Sequence, residues 1–101
     1  MADRTVTPRV PCRTPNPDKP GATNLPKWKF DLLRGAILEE LAGGDVPFAD
    51  LAKRVGARLD ANELADLGSL GWHVTSVKLE LEVRGEVCRV DGVTPQVLRL
   101  G

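Results

Sequence analysis

Between Gly71 and Gly85 runs GWHVTSVKLELEVRG, with a glycine at each end and neither glycine nor proline between them. At about 100° per residue, the spacing predicts a helix with Val74, Val77 and Leu81 on one face and Trp72, Leu79 and Val83 on the opposite face. A helix apolar on two sides belongs at the centre of a domain, so the rest of the chain has to be arranged around it. Its polar residues fall on two narrow flanks, His73, Glu80 and Arg84 on one side and Thr75, Lys78 and Glu82 on the other.

With 101 residues the chain makes one small domain, near the lower end of what builds a core without disulfides or metal. No stretch approaches the ~20 apolar residues of a membrane span, and MADRTVTPRV lacks the apolar run of a signal peptide, so a cytoplasmic protein is expected. Cys12 and Cys88 lie far apart, without CxxC spacing and with His73 as the sole histidine. That inventory does not assemble a four-ligand zinc site, so free thiols are expected, with no metal and no cofactor. The net charge of zero hides a division. Residues 1–29 hold six basic and two acidic residues, and the remainder holds eight basic and twelve acidic ones, a basic arm before an acidic body.

Six of the eight prolines sit in the first 26 residues, which excludes regular helix or a central strand there and favours extended backbone. The expected organisation is a basic, proline-rich extended arm over residues 1–23 and a folded domain over 24–101. The arm is expected to be partly disordered or to lie across the acidic body. A first helix is expected from an Asn24 cap, with Pro26 in its first turn and Phe30, Leu33, Ile37 and Leu41 as a buried stripe widened by Trp28, Leu32 and Leu38. Gly43-Gly44 ends it. Asp45-Val46-Pro47 is a short extended link, and Phe48, Leu51, Val55 and Leu59 mark a second helix. DANELADL (60–67) reads as one further helical turn with Asp60 capping Glu63. After Gly85, Glu86–Val90 and Gln96–Leu100 flank Asp-Gly, a hairpin signal, with Leu98 and Leu100 on the buried side. The order is that of an α+β winged helix, three helices and a C-terminal hairpin wing.

KWKFDLLRGAIL, the central GWHVTSVKLELEVRG and the closing CRVDGVTPQVLRL resemble a family of short bacterial proteins with a winged-helix-like fold and no assigned function. The resemblance reaches back to PNPDKPG and so covers most of the chain. It implies a fold and brings no site residues with it. Glu86 departs from its pattern, standing where an apolar residue would open the hairpin.

Two functional readings follow. Winged helices commonly put their third helix in the DNA major groove and the wing on the backbone. By that analogy His73, Thr75, Ser76 and Lys78 face bases, Arg89 and Arg99 touch phosphates, and Arg4, Arg9 and Arg13 of the arm add cations. Against it, the central helix has no Arg, Asn or Gln near its start, and its charges cancel; for Lys78 and its acidic neighbours a solvated flank is the simpler expectation. The second reading is a protein-interaction module: Trp72, Leu79 and Val83 need a cover from the hairpin, the arm, a second copy or another protein. For Trp72 alone, plain core is the simplest expectation. No enzyme, small-molecule ligand or membrane partner is expected. His73 has no nucleophile at motif spacing, and Glu80 and Glu82 diverge by about 200° on the helix. GSLG (68–71) lacks the basic residue of an RNA-clamping loop.

Overall fold

A computed structural model describes residues 8–15 and 21–101. The chain begins with a two-stranded antiparallel ribbon, β1 (Arg9–Arg13) and β2 (Ala22–Pro26), in the register Val10 to Leu25 and Cys12 to Thr23. Asn24, expected as a helix cap, therefore lies in β2 opposite Pro11. Prolines are tolerated here because a two-stranded ribbon has only edges. The Lys27 N–H donates to the Pro8 carbonyl at 2.9 Å, which fixes the bonded pairs at every second position and leaves Pro11 and Pro26 where an N–H would point away from the partner strand. The bonded positions put Val10, Cys12 and Leu25 on one face of the ribbon, and Cys12 and Leu25 are buried against the body.

Four helices follow: α1 (Lys27–Ala42), α2 (Phe48–Gly56), α3 (Ala61–Leu67) and α4 (Leu70–Arg84). The expected count of three is corrected because DANELADL forms a complete helix. Its capping box closes in both directions, Asp60 Oδ1 accepting from Glu63 N–H at 2.8 Å and Glu63 Oε1 from Asp60 N–H at 2.9 Å. On α1 the expected stripe of Phe30, Leu33, Ile37 and Leu41 is buried, whereas Trp28 is 43% exposed and Leu32 and Leu38 are half-buried. At the end of α4, Gly85 takes a left-handed φ of 78°, and the next N–H, of Glu86, reaches back to the Leu81 carbonyl at 2.9 Å. This closure stops the helix and turns the chain into the hairpin.

That hairpin, β4 (Val87–Arg89) and β5 (Val97–Leu100), is joined by the two-residue β3 (Val46–Pro47) in an antiparallel sheet of order β3-β5-β4. Val46, Val87 and Leu98 face the core, but Leu100 at the open end is exposed, contrary to the simple alternation. Glu86, the departure from an apolar pattern, pairs with Arg34 of α1 at 2.7 Å and so ties the hairpin's entry to the first helix. The α4 helix is the hub: α1, α2, α3, β1 and β4 all pack against it, with Val74, Val77 and Leu81 fully inside. No helix among the described residues is long and apolar enough to cross a membrane.

Candidate functional site

Around α4 the surface divides into an inner apolar face, two charged flanks and an outer strip. On the first flank Glu80 is buried, its side chain only 1% exposed. It holds the ribbon: Glu80 Oε1 accepts from the Arg13 backbone N–H and from Arg13 Nε, both at 2.9 Å, and Oε2 accepts from Arg13 Nη2 at 2.7 Å and from Arg84 Nε at 2.8 Å. Arg84 in turn lies over the Phe30 ring, 4.8 Å from its centroid. Burial pushes the Glu80 carboxyl up, but the hydrogen bonds from Arg13 and Arg84, with the Arg13 charge, outweigh it and bring it down to about 2. Arg13 N–H points away from β2, so the same carboxylate also blunts the outer edge of β1, which Pro11 leaves without a donor.

The second flank is built on Lys78, whose side chain is 2% exposed. Its Nζ donates to Glu82 Oε2 at 2.8 Å and to Gln96 Oε1 at 3.0 Å, and it sits 4.4 Å from the centroid of the Phe48 ring. Burial lowers the Lys78 ammonium from its ordinary range, with the Glu82 bond and charge acting against that shift. Glu82 takes a second cation, Arg89 Nε of β4, at 2.6 Å. The flank thus anchors α2, the hairpin loop and β4 to one helix. Beside it an open cleft of about 380 Å³ is lined by Thr14, Pro15, Glu82 and Arg89.

Placement of the sequence candidates follows from this. Lys78 is neither a base-reading residue on the surface nor part of a solvated flank; the flank is covered, and a neutralised charge can be buried there. His73 is also buried, its Nδ1 donating to the Ser69 carbonyl at 2.5 Å and its ring edge-on to Trp72. Thr75 and Ser76 are half-buried. Arg13 and Arg89 are engaged with Glu80 and Glu82. Arg9 and Arg99 are exposed on different sheets, and Arg4 lies outside the described residues. Of the candidates for DNA, His73 and Lys78 are thus buried, and Arg13 and Arg89 are engaged by carboxylates.

The outer strip is the part of α4 least covered by the described residues. Trp72 is 50% exposed, not core, and Val83 is exposed with it, while Leu79 is half-buried between them. Trp28 is also exposed; Lys29 Nζ lies 5.6 Å from its ring centroid and donates to the Leu67 carbonyl at 3.0 Å, beside the loop that enters α4. Sequence reasoning assigned Trp28 to the core and gave no role to Glu80 as the anchor of Arg13. The division into basic arm and acidic body was the one signal of the latter. Among the described residues no three His, Cys, Asp or Glu side chains converge as a metal set, and no buried side-chain nitrogen or oxygen lacks a partner.

The family model of DUF6958, a family of unknown function, matches residues 9–98, and the chain belongs to that family. No curated protein and no solved structure matched it.

Proposed function

We propose that this member of the DUF6958 family is a winged-helix-like domain that works as a protein-docking module through the outer strip of α4. The order α1, β3, α2, α3, α4, β4, β5, with β5 between β3 and β4, supports the winged-helix part of the reading, with α4 as the third main helix and β4–β5 as the wing. One observation carries the docking part. On a helix packed by five other elements, Trp72 and Val83 stay exposed with Leu79 half-buried between them, and the strip carries no charge. A half-exposed tryptophan flanked by aliphatic residues is the composition of an interface anchor.

The DNA-binding reading draws support from the same element order but not from the charges. Duplex affinity rests on cations free to neutralise phosphate, and Lys78, Arg84, Arg89 and Arg13 are each engaged by a carboxylate of α4 itself.

Two measurements test the proposal. Photo-cross-linking in cells with Val83→benzoylphenylalanine is expected to give a discrete adduct, and the same probe replacing the exposed Asp50 of α2 none. Absence of an adduct at position 83 refutes docking. Fluorescence anisotropy of a random duplex across a salt series is expected to stay flat; salt-dependent binding at low salt would return the DNA reading.

A further inference from the structure

We draw no further inference here: the strongest candidate, the open cleft beside α4 lined by Thr14, Pro15, Glu82 and Arg89, offers an anion one guanidinium that Glu82 already engages and a carboxylate that repels it, and nothing in the structure shows what ligand it would take.

Discussion

Glu80→Gln tests the ion pairs that hold the N-terminal ribbon to the central helix. The carboxylate is buried and accepts four hydrogen bonds, three from Arg13 and one from Arg84, joining the N-terminal ribbon to the central helix across 67 positions of sequence. Its folded value of about 2, against an ordinary 4.5, measures how much the native state prefers the ionised form. At 1.36 kcal/mol per unit, that preference contributes about 3 kcal/mol at neutral pH. Glutamine keeps the shape, removes the charge and turns a second acceptor into a donor facing Arg13 or Arg84. Removing one partner of a buried ion pair costs about 3–5 kcal/mol; here the lower end applies, because the Arg13 and Arg84 side chains are 54% and 37% exposed and can rehydrate.

The pH dependence separates this cause from a packing defect. Glu80 has a depressed folded value, so its contribution is complete above the unfolded value near 4.5 and is lost as pH falls through about 2. Urea unfolding at pH 7 is expected to show Glu80→Gln about 3 kcal/mol less stable than the wild type, with a melting temperature lower by roughly 12–20 °C. Between pH 4.5 and 2 the two curves converge, since the other carboxylates are common to both. Hydrogen exchange at Val10, Cys12 and Leu25 is expected to accelerate more than in α1. A gap under about 1 kcal/mol at pH 7, or one that persists undiminished to pH 2, refutes the reasoning.

Three further outcomes are expected. Lys78→Ala is expected to cost about 3 kcal/mol by urea unfolding, because it strips Glu82 of one cation and opens space beside Phe48, and Lys78→Met clearly less, because Arg89 still neutralises Glu82. Gly35→Ala, exposed in the middle of α1 with nothing within 4 Å of the added Cβ, is expected to raise stability by about 0.5–1 kcal/mol in the same assay. Burial, aided by the Glu80 charge and opposed by Arg84, pushes the Cys12 thiol up to about 11 from 9.0, so its contribution is whole below pH 9 and declines as pH rises toward 11. A thiol reagent at pH 8 is accordingly expected to label Cys88 first and Cys12 only on unfolding.

What was legible in the sequence was what repeats locally. Phe30, Leu33, Ile37 and Leu41, and Val74, Val77 and Leu81, announce buried faces because helical spacing forces them to one side, and Asp60 with Glu63 announces a cap because both halves lie within one turn. The ribbon was not legible. Prolines argue against helix and central strand, but nothing local reveals that Arg9–Arg13 pairs with Ala22–Pro26, with Pro11 and Pro26 at outward positions. Lys78 and Glu80 were expected at the surface for a related reason. A periodicity reading sorts residues by polarity, whereas burial of a charge depends on a partner 67 positions away for Glu80 and on a loop 18 positions away for Lys78.

Those internal pairings also explain why the surface of α4 is what it is. Lys78, Glu80, Glu82 and Arg84 are the four charged residues of the helix, and every one is turned into the flanks to hold β1, β4 or the hairpin loop, or to brace the pair that does. A recognition helix needs the opposite arrangement, with cations held outward at the positions that meet phosphate and base edges. To present Lys78 to a duplex, this chain would have to open a buried ion pair and expose the carboxylate Glu82 to the same phosphates, a penalty that grows as salt is lowered, where duplex binding should be strongest. No such penalty attaches to covering Trp72, Leu79 and Val83, because none of them holds the fold together by a polar bond. The charged residues that hold the ribbon and the hairpin and the apolar residues of the outer strip are thus different sets on one helix, so the proposed docking can be tested by substitutions at Trp72, Leu79 or Val83 without touching those ion pairs.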